Sequence, residues 1–168
     1  MIKSFLCILL AMALLCLAAC SGNAGSQIIV EPTEEGRAVG GMGDVMRTPI
    51  LDFVVKEVED HSKYSGQAAF NGEKFVEITI EITITSEEKQ VVRDTDFQLQ
   101  WGVSSFADPL AAWDEKMAPL ESTLEAGESV EYHYIYTMSV NITTFSLCYY
   151  YDDPQAAVAQ IFYVEFSL

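Results

Sequence analysis

Basic residues and histidine are scarce in this sequence. Its 168 residues include 9 Lys and Arg against 25 Asp and Glu, which gives a formal net charge of −16. Nucleic-acid binding is excluded, because that class of protein needs a basic footprint. The 2 histidines leave little room for a His-rich metal site. Half of the residues are hydrophobic, so wholesale disorder is excluded as well.

Motifs of nucleotide binding and of nucleophilic catalysis are absent. The sequence has no Walker A motif, no Gly-x-Gly-x-x-Gly fingerprint and no Gly-x-Ser-x-Gly elbow. We therefore predict neither a cofactor nor enzymatic activity, and we interpret His61 and His133 as surface or edge histidines, with His133 pointing away from the apolar face of its strand. A hydrolase that uses a pair of acids is the catalytic alternative, although no pair among the 25 acids stands out.

Long apolar runs are confined to the N-terminus, where seventeen of the first nineteen residues are apolar and Lys3 supplies a positive charge. This pattern is typical of a secretory signal peptide, which we assign to residues 1–19. The run Leu17-Ala18-Ala19-Cys20 resembles a bacterial lipobox. The resemblance implies that the chain is cut between Ala19 and Cys20 and that the Cys20 thiol carries lipid such as palmitate.

Cleavage at this point changes the charge and the cysteine content. With Lys3 removed, 8 basic residues face 25 acids, and the side-chain charge becomes −17. Cys7 and Cys16 leave with the signal, so Cys148 has no partner for a disulfide within the mature chain. We predict that Cys148 is a buried, unreactive thiol. We also predict that the protein is anchored to the cell membrane through Cys20, on the extracytoplasmic side, at the cell surface or in a periplasm.

Residues 20–42 are rich in Gly, Ser, Glu and Pro, and we predict a flexible linker there. The short apolar run Ile28-Ile29-Val30 is alternatively a docking strand. The run Gly40-Gly41-Met42-Gly43 is interpreted as linker flexibility, because no strand pattern precedes it. The folded domain is expected to span residues 43–168.

Alternation with period two dominates residues 43–168. In the clearest strand, residues 75–85, isoleucine and valine occupy one face while Glu and Thr occupy the other. Weaker strands of the same kind begin near Leu51, Phe97, Val130, Phe145 and Phe162. The pattern is typical of antiparallel strands with one face in the core. About seven strands with almost no helix predict an immunoglobulin-like β-sandwich, with a closed barrel as the alternative.

The longest interruption of this pattern surrounds Trp113. Residues 110–117 are predicted to form a short helix, with Asp108 as N-cap and Pro109 at the first helical position. Trp113 then lies away from the clearest strands. Tyr150 is expected to be exposed, because side chains of a strand alternate between faces. Trp113 and Tyr150 are therefore the candidate contacts for a partner, and core packing is the alternative role for the aromatic residues.

Calcium binding is a second functional class. Asp94 and Asp96 place two carboxylates just before a strand, and Ca²⁺ prefers such oxygen ligands. No twelve-residue calcium loop surrounds them, so a solvated acidic loop is the alternative interpretation.

Several short motifs within residues 40–168 resemble a known domain family. Gly43-Asp44 and Leu51-Asp52-Phe53 are similar to its opening, Lys74-Phe75-Val76 to the start of its long strand, and Leu124-Glu125-Ala126-Gly127-Glu128 to a later turn. The family is the telokin-like, immunoglobulin-fold domain of bacterial lipoproteins, known as domain of unknown function 4352, with its relatives. The resemblance implies an extracytoplasmic β-sandwich, usually tethered by lipid and with no established enzymatic activity.

The sequence thus predicts a membrane-anchored lipoprotein with a non-catalytic domain that binds a protein, peptide or glycan partner at the cell envelope. A lipoprotein that binds Ca²⁺ or a small ligand is the first alternative, and an envelope hydrolase is the second.

Overall fold

Two five-stranded sheets face each other in a computed structural model, which describes residues 27–152 and 158–168. The strands are β1 (Ile29–Val30), β2 (Arg37–Gly41), β3 (Val45–Arg47), β4 (Leu51–His61), β5 (Lys63–Tyr64), β6 (Gln67–Ala68), β7 (Glu73–Ile84), β8 (Gln90–Arg93), β9 (Phe97–Trp101), β10 (Ser105–Ala107), β11 (Glu121–Leu124), β12 (Ser129–Ser139), β13 (Thr144–Tyr151) and β14 (Gln160–Ser167). Sheet A has the order β1-β3-β4-β7-β12, and sheet B has the order β10-β9-β13-β14-β2. The pairs β5–β6 and β8–β11 form two small additional sheets.

The predicted all-β sandwich is confirmed, and its core lies between sheets A and B. The strand β7 lies between β4 and β12 in sheet A, and its valine and isoleucine side chains point inward with almost no exposure. Aromatic rings from both sheets meet there, with Phe53 of β4 lying 5.3 Å from Phe97 of β9. The Tyr136 hydroxyl donates a hydrogen bond to the Phe97 carbonyl over 3.0 Å, so this buried polar group is satisfied.

The sandwich begins earlier than Gly43, and the predicted linker boundary is wrong. The strand β1 pairs in parallel with β3, and β2 pairs in parallel with β14 at the edge of sheet B. Gly40 lies in β2 at a close approach, since a Cβ atom there would lie 2.7 Å from the Met46 sulfur. The glycines that indicated flexibility therefore permit packing, and the docking-strand alternative for Ile28-Ile29-Val30 is correct for Ile29–Val30.

The predicted helix at residues 110–117 is also wrong, because this segment is an irregular loop. The amide of Leu110 donates to the Ile135 carbonyl over 2.7 Å, so the backbone of the loop bonds to the free edge of β12 and not in a helical pattern. Asp108 does not cap a helix; its carboxylate accepts a hydrogen bond from the Gln98 side chain. Within the described residues, the only helical segment is a single 3-10 turn at Asp94–Asp96.

The predicted signal peptide of residues 1–19, the cleavage site at Ala19 and the lipidated Cys20 lie outside the described residues. No helix within residues 27–152 or 158–168 has the length and hydrophobicity needed to cross a membrane.

Candidate functional site

A β-bulge in β4 reverses the direction of its side chains halfway along the strand. Before the bulge, Phe53 and Val55 point into the core. The pairing with β7 then skips Lys56, so that Glu57 pairs with Thr79 and Glu59 with Glu77. The extra residue, Lys56, places the side chains of Glu59 and His61 on the outer face of sheet A. Bulges commonly re-aim side chains in this way beside functional sites.

Both histidines of the chain meet one carboxylate on this outer face. The Nε2 atom of His61 lies 2.9 Å from Oε2 of Glu77, and the Nδ1 atom of His133 lies 2.6 Å from Oε1 of the same residue. Glu59 lies on the other side of His61, at 3.6 Å from its Nε2. Because an ionised carboxylate only accepts hydrogen bonds, each histidine nitrogen donates to Glu77. We call Glu59, His61, Glu77 and His133 the outer-face cluster.

The loop of residues 108–120 fixes the position of His133. The backbone amide of Ala118 donates to the His133 carbonyl over 2.9 Å, and the His133 amide donates to the Lys116 carbonyl over 3.2 Å. These bonds satisfy the free edge of β12, which would otherwise expose unpaired backbone groups. They also bring Asp114 and Lys116 next to the outer-face cluster, where they line the same groove as Glu77.

An aromatic cluster borders the outer-face cluster. The ring of Phe75 is buried on the outer face and lies edge-on to Trp113 at 5.7 Å, and Tyr64 lies 6.4 Å from each of them. Tyr64 is brought there by the tight hairpin β5–β6, in which Ser65 and Gly66 both have positive φ. Such a two-residue turn matches the twist of the strands it joins.

A groove of about 500 Å³ lies between the hairpin and the loop, lined by Tyr64, Ser65, Glu77, Asp114, Glu115 and Lys116. This volume is within the range of small-ligand sites. Burial and, after it, the negative charges of Glu77 and Asp114 together raise the pKa of Tyr64 to about 12. The Tyr64 hydroxyl is therefore a neutral hydrogen-bond donor at physiological pH, set among carboxylates.

The two predicted partner contacts, Trp113 and Tyr150, lie far apart in the fold. Trp113 is 37% exposed and lines a smaller apolar pocket of about 170 Å³, and its ring lies 6.4 Å from that of Tyr64, which lines the groove. Tyr150 is 55% exposed, as expected from the alternation, but it lies in β13 on the outer face of the other sheet. The structure thus joins Trp113, and not Tyr150, to the outer-face cluster.

The predicted calcium ligands Asp94 and Asp96 are engaged in a 3-10 turn. The Asp94 carboxylate accepts the Thr95 amide over 2.7 Å, and the Asp96 carboxylate accepts the Arg93 amide over 2.8 Å. Burial raises the pKa of both carboxyl groups. Among the described residues, only Glu59, His61 and Glu77 bring three His, Cys, Asp or Glu ligand atoms close enough to share a metal ion.

Cys148 lies on the outer face of sheet B and is half-buried, so the prediction of a buried thiol is correct only in part. Its neighbours Leu147 and Tyr149 point inward instead. The thiol donates to the Gln100 side chain over 3.2 Å. Burial raises the pKa of this thiol to about 12.

His133 points away from the apolar face, as the sequence predicts, but the sequence does not predict that the two histidines meet at one carboxylate. The bulge in β4 determines that His61 faces outward. One feature of the sequence indicates this bulge. Apolar residues of β4 occur at Phe53 and Val55 and then at Val58, so the spacing changes from two to three. Val58 packs against the core, which leaves Glu59 and His61 outside.

Comparisons with known proteins show the fold alone. No family model matches the chain, so the resemblance to the telokin-like lipoprotein domain stays a prediction. No curated protein matches either. The YcdA protein of Bacillus subtilis, which is described as a lipoprotein, aligns with a TM-score of 0.58 and 18% identity over 73% of this chain. This chain spans 38% of that protein's length.

A second solved structure has a similar fold. The YjhA protein of Bacillus subtilis aligns with a TM-score of 0.58 and 13% identity, over 74% of this chain and 99% of its own. The class of protein defined by the fold and by these two structures is an all-β sandwich.

Proposed function

We propose that this chain is a lipid-anchored, extracytoplasmic protein whose β-sandwich has a non-catalytic binding role at the cell envelope. The lipobox-like sequence ending at Cys20 supports the anchor. The groove beside Tyr64 and Trp113 supports the binding role, because it combines aromatic rings with several carboxylates and lies open on the outer face of sheet A.

The chemistry of this groove favours a basic segment of a protein partner. Glu77, Asp114 and Glu115 line it, and Lys116 is its one basic side chain. A Lys or Arg side chain of a partner would find carboxylates for its charge and aromatic faces for its apolar stem. The acidic character of the whole chain, with a net charge of −16, would speed the approach of such a partner.

Binding of defined probes to the purified full-length protein in detergent tests this proposal. The probes are a short peptide rich in Lys and Arg, its Gln-substituted analogue, and an oligomer of N-acetylglucosamine, each titrated by calorimetry at physiological salt. We expect the basic peptide to bind best. The variant Trp113→Ala should bind it about threefold to thirtyfold more weakly, which corresponds to the loss of one cation–π contact.

The matched control is Tyr150→Ala, which removes an exposed aromatic ring from the other sheet and should leave the affinity unchanged. Equal affinity of wild type and Trp113→Ala for the basic peptide would contradict the proposed site. Binding of the sugar oligomer that depends on Trp113 would redirect the proposal to a glycan partner. In fractionated cells, wild type should sediment with membranes while Cys20→Ser should not.

A further inference from the structure

We propose that Glu59, His61 and Glu77 bind a divalent first-row transition-metal ion, with Zn²⁺ as the best-fitting ion, and that His133 positions Glu77 for this role. The site lies at the bulge of β4 and the centre of β7. It goes beyond the proposed binding role, since metal binding is measured without any partner.

The ligand atoms already lie near the separations that a tetrahedral ion requires. Zinc bonds to nitrogen and to carboxylate oxygen are about 2.0–2.2 Å long, so ligand atoms around one ion are about 3.3–3.5 Å apart. The Nε2 atom of His61 lies 2.9 Å from Glu77 and 3.6 Å from Glu59. All three ligand atoms lie within 4.8 Å of one another. Binding the ion therefore requires small side-chain adjustments and a His61 ring with its proton on Nδ1, so that the Nε2 lone pair is free for the ion; a proton displaced from Nε2 goes to solvent.

The pairing of the strands supplies an independent argument for a cation. Glu59 and Glu77 are directly opposite each other across β4 and β7, and like charges in this position destabilise a sheet. Glu59 has no basic partner except His61 among the ion pairs of the described residues. A divalent cation between the two carboxylates would convert this repulsion into attraction.

His133 gives Glu77 the outer hydrogen bond that metal-binding carboxylates commonly have. Its Nδ1 atom donates to Oε1 of Glu77, which leaves Oε2 directed to His61 and to the ion. The backbone of His133 is held on both sides by the loop of residues 108–120. Such outer partners orient the ligand, and losing one typically costs about 10- to 100-fold in metal affinity.

The ligand set selects a class of ion. An imidazole ligand favours Zn²⁺, Cu²⁺ or Ni²⁺, whereas Ca²⁺ takes six to eight oxygen ligands. Three protein ligands leave a fourth position for water or for an external donor, as in open zinc sites. Because Glu77 also lines the groove, a molecule bound in the groove would lie next to this position.

Titration of the metal-stripped full-length protein with ZnCl₂ and with CoCl₂ tests the proposal. Wild type should bind one Zn²⁺ that excess CaCl₂ does not displace, and Co²⁺ should produce visible absorption bands that ZnCl₂ removes. In His61→Asn and Glu59→Gln, the affinity should fall by more than about 100-fold, since outer partners alone cost up to that amount. In His133→Gln, it should fall about 10- to 100-fold, with a shift of the Co²⁺ bands that a purely structural role would not cause.

The matched control is Glu57→Gln, which removes an exposed acid from the same face of β4 outside the cluster. It should bind Zn²⁺ as wild type does. The metal site is overturned if wild type binds no saturable Zn²⁺, if Ca²⁺ displaces it, or if His61→Asn and Glu57→Gln bind it equally. Unchanged affinity and Co²⁺ bands in His133→Gln would overturn the positioning role. The Co²⁺ spectrum of wild type decides the matter even if a variant does not fold.

Discussion

The outer faces of sheets A and B differ in chemistry far more than in shape. Each face carries a groove of about 500 Å³, so size does not distinguish them. On sheet B, Arg37 stacks over the Tyr163 ring at 4.7 Å and the side chains are mostly polar or exposed. On sheet A, a second apolar cluster of Phe75, Met117 and Ile135 is buried beneath the hairpin and the loop.

The segments that cover sheet A account for the difference between the two outer faces. Alternation gives both sheets a polar outer side. Among the residues that the structure describes, the loop of residues 108–120 and the β5–β6 hairpin cover part of the outer face of sheet A, and no comparable segment covers that of sheet B. This cover buries Ile135 and holds the backbone of His133, and the Glu77 side chain beside it is only 16% exposed. The carboxylate of Glu77 and the two imidazoles are therefore brought together on a partly buried surface.

Truncating Ile135 should produce the largest loss of stability, and it tests most directly whether the two outer faces differ in packing. Its side chain is fully buried although it lies on an outer face. We expect Ile135→Ala to lower the free energy of unfolding by about 2–4 kcal/mol, because a cavity remains under the loop. Chemical denaturation measures this loss. Tyr150→Ala, on the outer face of sheet B, should change stability by less than about 0.5 kcal/mol; equal losses would mean that the cover contributes no packing.

Removing the charge of Glu77 should lower the free energy of unfolding by less than the truncation of Ile135 does. Glu77→Gln keeps the shape but weakens both hydrogen bonds from the histidines, and hydrogen bonds to charged groups contribute about 1.5–3 kcal/mol when well shielded. We expect a loss of about 1–2 kcal/mol in denaturation experiments with EDTA present. The control is Glu81→Gln on the same strand, whose exposed ion pair with Lys56 should contribute less than about 1 kcal/mol. A larger loss in Glu81→Gln would refute the central role of Glu77.

Modification of Cys148 should have the smallest effect on stability. Its rate reports on the outer face of sheet B and leaves the packing of sheet A intact. Its folded pKa is about 12, so at pH 8 only about one thiol in ten thousand is ionised, against roughly a quarter for an ordinary thiol. We expect reaction with a disulfide reagent to be at least about 100-fold slower in the folded than in the unfolded protein. The rate should still rise with pH above pH 9. Cys148→Ser gives the background from other cysteines, and a plateau near pH 9 would contradict the raised pKa.

The strands that carry the core were predictable, because burial on one face forces strict alternation. The prediction for residues 75–85 corresponds to β7 (Glu73–Ile84), and all five weaker strands are present. Edge elements were not predictable in this way. The strand β2 contains Gly40 and pairs only along one side, so packing constrains its sequence too weakly to leave a pattern.

The candidate site was predictable only in part, since its geometry depends on strand register. Alternation correctly turned His133 outward, but it did not predict that Trp113 packs against Phe75 of β7. It did not reveal that His61 and His133 share Glu77, because hydrogen bonding between strands determines which residues become neighbours. The loop of residues 108–120 was misread because its helix signals, Asp108 and Pro109, compete with the open edge of β12.

The bulge at Lys56 has a consequence for how this protein tolerates change. The first half of β4 supplies core residues, and its second half supplies Glu59 and His61 of the outer-face cluster. A single residue without a pairing partner on β7, Lys56, separates the two halves. Deleting Lys56 would remove the bulge and leave Glu59 and His61 on the outer face, because the residues after it keep their register with β7. Inserting one further residue between Val55 and Glu59 would instead turn Glu59 and His61 inward while every side chain kept its identity. The site is thus defined by the parity of position along the strand, and an insertion there is more disruptive than most substitutions.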